Sequence, residues 1–208
     1  MANMIIRPSS GTGNKVIVQD QAGAAVLTTA DSGATVANAI LASTTTFPAG
    51  HVLQVVNTTK TDTFSESLSA NVNSSQNAIQ VSITPSSTSN KILILWSINA
   101  SGYVGSGGHI SVRVVRGSTN VAVGDAAGNR NRITSISVNA SNSDRPTFNS
   151  GNLLDSPSTT SAITYGIRLD NNDNGTATMY LNRSKNDTDS NVNIHRTASS
   201  ITVMEIAG

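Results

Sequence analysis

Cysteine is absent from this 208-residue chain, and several other residue types are scarce. The lack of cysteine excludes disulfides, thiolate nucleophiles and zinc sites built on cysteine. Aromatic residues make up 3% of the chain, with a single tryptophan, Trp96, which is too few for the stacking platforms that hold single-stranded nucleic acid. Because no apolar run has the length of a signal peptide or a bilayer span, we expect neither export by such a peptide nor membrane insertion.

Charge is also scarce, since 12% of the residues are charged and the formal net charge is +1. Proteins that capture DNA or RNA electrostatically need clustered lysines and arginines that displace counterions. The sequence has no such cluster, so nucleic acid is not an expected partner.

The residues that are abundant are serine, threonine, asparagine, glycine and valine. Strong helix formers are few and β-branched residues are common, which favours strands joined by polar turns. From Phe47 onward, short alternating segments recur at close intervals. This pattern predicts an antiparallel β-sandwich or jelly roll over residues 47–208. The apolar run from Lys91 to Ser101 is expected to be a central, doubly covered strand, and Ser141 to Thr160 a polar loop.

The first 46 residues predict a separate small module. Lys15 to Val36 reads as short strands with turns at residues 20–23 and 31–33, and Ala34 to Thr44 is a candidate helix. The boundary to the sandwich lies in "ILASTTTFPAG". A hairpin of this size is marginal on its own, so we expect copies of the chain to bury one another's apolar faces in the module.

Residue types that carry catalysis are present without the spacing that catalysis needs. The three histidines, His51, His109 and His195, have no second ligand at metal-binding spacing. Ser106 in "GSGG" lacks the glycine pattern of a nucleophile elbow, and "GTGNK" at residues 11–15 is too short for a phosphate-binding loop. Only two glutamates occur, and most aspartates lie in predicted turns. We therefore expect no enzyme activity and no cofactor.

One segment, "RLDNNDNG" from Arg168, begins like a calcium-binding loop. An EF-hand requires a glutamate at loop position twelve, where this chain has Leu181, and it requires flanking helices, whereas these flanks alternate like strands. Two interpretations stay open. Asp170, Asn172 and Asn174 hold a cation such as calcium, or residues 171–175 are the exposed tip of a hairpin whose strands place Tyr165, Ile167 and Leu169 in the core beside Met179 and Leu181.

Two stretches carry a resemblance to a known family. "FPAGHVLQVV" and "SITPSSTSNKILILWSINASG" resemble a domain of tail-fibre and other virion proteins from marine and freshwater bacteriophages, including cyanophages. The matching positions are Phe47, Gly50, Val52, Leu53, Gln54, Val55, Ile83, Thr84, Pro85, Lys91, Ile92 and Leu93. The resemblance covers roughly Phe47 to Ser101. "KVIVQDQAGAAVLTTADSG" is similar to short repeats of phage fibres, which are typically trimeric.

The resemblance implies a homotrimer on the surface of a phage particle. Its N-terminus would bind other virion proteins and its sandwich would face outward, so the chain would be a tail fibre or fibre tip that helps attach the virion to its host. The alternative is a capsid decoration or head-fibre protein. A glycan-degrading tailspike is a third interpretation, but the chain is short and poor in acids for one.

Polar, turn-rich loops are the expected recognition surface, with a host-cell glycan as the expected ligand. Such loops suit a polar glycan because many weak hydrogen bonds gain avidity from three copies. The candidate residues are Asp144, Arg145, Asn171, Asp173, Asn186 and Asp187.

Overall fold

A computed structural model describes residues 16–19, 21–30, 33–36, 45, 47–103, 110–137, 145–172, 174–192 and 194–208. The chain divides into two compact units, Met1–Thr46 and Phe47–Gly208. All regular structure in the described residues is β-strand, so none of them belongs to a helix that could cross a membrane.

The first unit contains a three-stranded antiparallel sheet of β1 (Ile17–Gln19), β2 (Ala25–Ala30) and β3 (Gly33–Val36), in that order. Gly23 takes a φ of +85° in the turn between β1 and β2, which glycine adopts without steric cost. The predicted hairpin is confirmed. The helix candidate at residues 34–44 is wrong where it is described, because Ala34 to Val36 belong to β3. Its remaining residues lie outside the described part of the chain.

The second unit is an antiparallel sandwich. Its six-stranded sheet has the order β4, β14, β7, β13, β5, with β11 paired to β7. Those strands are β4 (Val52–Lys60), β5 (Phe64–Leu68), β7 (Lys91–Tyr103), β11 (Thr147–Asp155), β13 (Ala177–Leu181) and β14 (Ser199–Ile206). The five-stranded sheet has the order β10, β8, β12, β6, with β9 paired to β8. Its strands are β6 (Ile79–Ile83), β8 (Ile110–Arg116), β9 (Thr119–Asn120), β10 (Ser135–Ser137) and β12 (Ile163–Asn171).

The core lies between these two sheets. Alternate residues of β7, including Ile92, Ile94 and Ile98, are fully buried, as are Val112 of β8 and Ile167 of β12. They belong to one continuous apolar cluster to which both sheets contribute. Period-two alternation therefore buries one face of each strand, and the predicted all-β sandwich is confirmed.

Strand β7 is central in its sheet, as the sequence predicts, but the core covers it on one face only, so the prediction of a doubly covered strand is wrong. The strand pairs with β14 over residues 91–97 and with β13 over residues 100–103, and β11 runs along its opposite edge. Its core-facing residues are buried. Leu93 and Leu95, on the opposite side of the sheet, are half-buried.

The predicted loop at residues 141–160 is wrong over much of its described length. Residues 147–155 form β11, which pairs with β7 from Ala100 back to Ile92. The sequence "TFNSGNLLD" has a glycine and two asparagines, residues that local propensity disfavours in strands. The long edge of β7 supplies backbone partners along the whole segment, and this pairing overrides the propensity.

The predicted hairpin between residues 163 and 181 is also wrong. Both strands exist, but β12 pairs with β6 and β8 whereas β13 pairs with β5 and β7. The connection therefore passes from one sheet to the other. Tyr165, Ile167, Leu169, Met179 and Leu181 are all buried in the core, as expected, but they reach it from opposite sheets.

Candidate functional site

Asp170, the first residue of the calcium-like segment, forms a buried ion pair. It is the penultimate residue of β12, it faces away from the apolar core of the sandwich, and it is fully buried. Arg113 of β8 donates from Nε to Oδ2 and from Nη2 to Oδ1, both at 2.8 Å. The backbone N–H of Ser74 also donates to Oδ1, at 2.7 Å. Both carboxylate oxygens are therefore committed to protein donors.

Arg113 also donates from Nη1 to Asn120 Oδ1 and from Nη2 to the carbonyl oxygen of Ser74, each at 2.8 Å, so every nitrogen of its guanidinium has an acceptor. A guanidinium placed bidentately on a carboxylate supplies the positive charge that a cation would bring. The geometry thus gives Asp170 a structural partner where the cation interpretation would place calcium.

The other two residues of the cation interpretation have separate contacts. Asn172 donates to Ser111 Oγ and accepts from Asn131 Nδ2. Asn174 Oδ1 accepts a long hydrogen bond from Asn71, at 3.3 Å. In the part of the chain that the structure describes, no group of three acidic or histidine side chains is arranged to hold a metal ion.

Asn171 does not lie at an exposed tip, so this part of the recognition surface is corrected. Its side chain is fully buried, and the carbonyl oxygens of Leu68, Ser69 and Gly175 lie 2.8–3.1 Å from its Nδ2 and share the two N–H donors. It ties the end of β12 to the end of β5 and to the connection that follows. Asn171 is a structural residue at the crossing between the sheets.

Arg145, Asn186 and Asp187 are exposed in the structure, whereas Asp144 and Asp173 lie outside the described residues. The Asp187 carboxylate accepts from Arg196 at 2.6 Å and lies 3.4 Å from Arg183. The Arg183 guanidinium in turn lies 4.7 Å from the Tyr180 ring centroid. Asp187 therefore organises its own loop, while its neighbour Asn186 is presented to solvent.

The loops that contain Arg145 and Asn186 adjoin strands that pair with the same position of β7. Thr147, two residues after Arg145, pairs with Ala100 on one edge of β7, and Leu181, which precedes the 182–187 loop, pairs with the same Ala100 on the other. The two strands are about 10 Å apart across β7. The loops at Arg145 and Asn186 thus start from neighbouring positions.

A polar cleft that the sequence does not reveal opens where the edge strands β4 and β6 of the two sheets approach each other. Its volume is about 360 Å³. Thr58, Lys60, Asp62, Asn77 and Gln80 line it. Lys60 pairs with Asp62 at 2.7 Å, so the opposed charges of these two side chains cancel. Hydroxyl, amide and paired ionic groups of this kind suit a neutral, polyhydroxylated ligand. The residues come from two segments, 58–62 and 77–80, that only the fold brings together.

A second cluster missed in the sequence surrounds Glu205, which is 1% exposed. Its Oε1 accepts from the Ser86 backbone N–H, the Ser86 hydroxyl and Asn90 Nδ2, and its Oε2 accepts from Gln54, all at 2.6–2.8 Å. Burial raises the pKa of Glu205, but the hydrogen bonds from Asn90, Gln54 and Ser86 outweigh it and hold the pKa below its usual value. The arrangement fixes an ionised carboxylate and ties β14 to β4 and to the turn before β7.

A third group joins buried Tyr165 to the partly buried Asp155 and Arg116. The Tyr165 hydroxyl donates to Asp155 Oδ2 at 2.7 Å, and Arg116 Nη1 contacts the same oxygen at 2.8 Å. Burial, and then the hydrogen bond to Asp155, raise the pKa of the Tyr165 phenol. The tyrosine is therefore held as a neutral donor, a role that stabilises the contact between β12 and the end of β11.

The histidines and the glycine-rich motifs add no chemistry where they are described. The His51 ring lies 5.8 Å from the ring of Phe47, and the His195 backbone N–H donates to Ser184. His109, Ser106 and residues 11–15 lie outside the described part of the chain.

No protein-family model matches the chain, and no curated protein is significantly similar to it in sequence. What can be inferred of its function therefore comes from its own residues and their geometry.

Proposed function

We propose that the chain is a virion structural protein, a homotrimeric tail fibre or fibre tip that contributes to attachment of a bacteriophage to its host. The observation that carries this proposal is the combination of two unlike units in one chain. The first is a small sheet whose β1 residues Ile17 and Val18 are 52% and 46% exposed. The second is a sandwich with its own continuous core. A small apolar unit gains stability by associating with other copies, and a rigid sandwich presents loops.

The surface chemistry of the sandwich supports glycan recognition as its task. The cleft between β4 and β6 is lined by hydroxyl and amide groups with one mutually paired lysine and aspartate. Asn186 and Arg145 stand exposed on loops that start from neighbouring strands. Each contact to a neutral sugar would be weak, and three copies on one fibre would supply avidity.

A binding experiment on cells tests host attachment. Fluorescently labelled full-length protein is incubated with a panel of marine and freshwater bacteria, including cyanobacteria, and staining is measured by flow cytometry. We expect at least one strain to be stained and free polysaccharide from that strain to compete. Two variants are compared with the wild type in the same experiment. One carries Asn77→Ala and Gln80→Ala in the cleft, and the other carries Asn186→Ala in the loop. Absence of staining on every strain that the phage infects would contradict host attachment.

Immunogold labelling of the virion separates tail from head. Gold particles at the tail support the fibre assignment. Labelling distributed over the capsid would instead make the chain a decoration or head-fibre protein, which the same two-unit organisation would serve.

A further inference from the structure

The two outer surfaces of the sandwich differ in whether the chain covers them. On the five-stranded sheet, Ser111 and Arg113 of β8 and Asp170 of β12 point away from the core and are nevertheless buried. Ser74 and Asn131, from two connecting segments, and Asn120 of the short strand β9 hydrogen bond to this surface or to its neighbours. The chain's own segments therefore cover the outer side of β8 and the end of β12, whereas Ile136 of β10 and Gln80 and Ser82 of β6 stay exposed.

On the six-stranded sheet, the outward residues of four adjacent strands are exposed or half-buried among the described residues, and we call this surface the open face. It consists of the outward residues of β4, β14, β7 and β11. Register places Val55, Met204, Leu93 and Leu154 side by side in one row across these strands. Val55 is 55% exposed and Leu154 is 50% exposed. An apolar row of this kind on a monomer's surface marks an interaction site.

The rows of the open face from Leu95 to Asn99 are also uncharged. The next rows contain Asn152, Leu95, Thr202 and Asn57, and then Ser150, Ser97, Ser200 and Thr59. Phe148, 63% exposed, follows beside Asn99. None of the outward residues in the rows from Leu93 to Asn99 is charged. A depression of about 350 Å³, lined by Leu95, Ser150, Asn152 and Thr202 among others, lies between the protruding Leu154 and Phe148.

We infer that the open face is where copies of this chain associate through their sandwiches. An uncharged surface can meet an identical surface without the like-charge repulsion that a charged one would meet. Its size also fits. Four strands about 4.8 Å apart and nine residues at about 3.4 Å each give a footprint of roughly 600 Å². Because side chains protrude from the sheet, the accessible area of the open face exceeds this footprint. It approaches the about 800 Å² that each partner buries in a stable interface.

The interface rests on the proposed homotrimer and locates part of it in the sandwich, separately from the N-terminal unit. The occupant is a second copy, whose protruding Leu154 or Phe148 would enter the depression beside Asn152. Serine and asparagine side chains of the open face would then hydrogen bond across the contact.

Because the chain has no cysteine, single thiols report the interface directly. The full-length variants are Leu154→Cys on the open face and Ile136→Cys on β10 of the other sheet. Ile136 is the matched control, because it is also a branched aliphatic residue and its exposed fraction, 47%, is close to the 50% of Leu154. We expect a polyethylene-glycol maleimide to react at position 154 about tenfold more slowly than at position 136 under native conditions, and at equal rates in denaturant.

A charge at the same positions gives an independent readout. We expect Leu154→Arg to lower the mass measured by light scattering and Ile136→Arg to leave it at the wild-type value, with both retaining the wild-type circular dichroism. If the wild type is a trimer but position 154 reacts as fast as position 136 and Leu154→Arg keeps its mass, this interface is overturned while the proposed function stands. A monomeric wild type would overturn both the interface and the trimer, and cell staining would still test host attachment.

Discussion

At the scale of the residue, the buried polar groups of this chain are joined in networks that connect distant segments. Glu205 contacts Gln54 from the first stretch that resembles phage fibre domains, and Ser86 and Asn90 from the second. The segments that carry the resemblance therefore meet at one ionised carboxylate. Gln54, Ser86 and Asn90 therefore have a structural role, because their contacts with Glu205 fix the start of β4 and the turn before β7 against β14.

Replacing Glu205 with glutamine is expected to destabilise the sandwich by about 2–3 kcal/mol, since hydrogen bonds to a buried charge are stronger than those to a neutral amide. The amide would also direct its own N–H groups at the donors of Ser86 or Gln54. Urea unfolding followed by Trp96 fluorescence measures the loss. The control is Asp62→Asn, the same acid-to-amide change at a carboxylate that is 75% exposed, for which we expect no measurable change.

The pH dependence of this contribution has a definite sign. Because the pKa of Glu205 is lower in the folded state than in the unfolded chain, its stabilisation is fully present above the unfolded value of about 4.3. It is lost as the pH falls through the folded pKa. The free energy of unfolding of Glu205→Gln should therefore fall less steeply below about pH 4.3 than that of the wild type. Parallel profiles would show that Glu205 is not a source of the acid sensitivity.

At the scale of the element, the strands could be predicted where apolar residues alternate strictly. The alternation of Ile79, Val81 and Ile83, and of Ile167 with Leu169, gives both the strand and its buried side. Strand β11 could not be predicted in this way, because "TFNSGNLLD" alternates exposed and half-buried residues and owes its conformation to the edge of β7.

The partner of each strand could not be predicted from the sequence either. The polar turn after Asn171 indicates a hairpin because turn residues separate two alternating segments. It carries no information about which sheet each segment joins. The burial of Asn171, whose amide holds three carbonyl groups, likewise depends on Leu68 and Ser69 arriving from a segment a hundred residues earlier. The Asp170 ion pair and the β4–β6 cleft could not be predicted for the same reason, because tertiary contacts make both of them.

Gly151 explains how β11 fits beside the only tryptophan. It pairs with Trp96, whose indole N–H donates to Asn149 at 2.9 Å, and a Cβ at position 151 would overlap the indole ring. Gly151→Ala should therefore displace the ring and destabilise the sandwich by about 1–3 kcal/mol, the range found for overpacked sites. We expect the Trp96 emission maximum to shift to the red and the urea midpoint to fall.

Gly175→Ala is the matched control for that change, because a Cβ at position 175 meets no atom within 4 Å. It should leave both the emission spectrum and the urea midpoint at their wild-type values. An unshifted Trp96 spectrum in Gly151→Ala would contradict the proposed contact between the glycine and the indole.

At the scale of the whole molecule, stability is concentrated in the second unit. Among the described residues, every member of the buried apolar cluster lies between Leu68 and Val203, and the described strands of the first unit have three, six and four residues. Residues 47–208 should therefore fold without the first 46. We expect this fragment to give a β-type circular dichroism spectrum and one cooperative urea transition, with a free energy of unfolding within the 5–15 kcal/mol or so that is usual for single domains.

A peptide of residues 1–46 is the complementary test. Two- and three-stranded sheets of this size are marginal alone, and Ile17 and Val18 of β1 are exposed. The peptide should be unfolded when dilute and gain β-structure as its concentration rises, because association supplies the missing apolar contacts. A fragment 47–208 without a cooperative transition would show that the sandwich needs the first unit. A dilute peptide with full β-structure would contradict the second prediction, because the first unit would then be stable without contacts between copies.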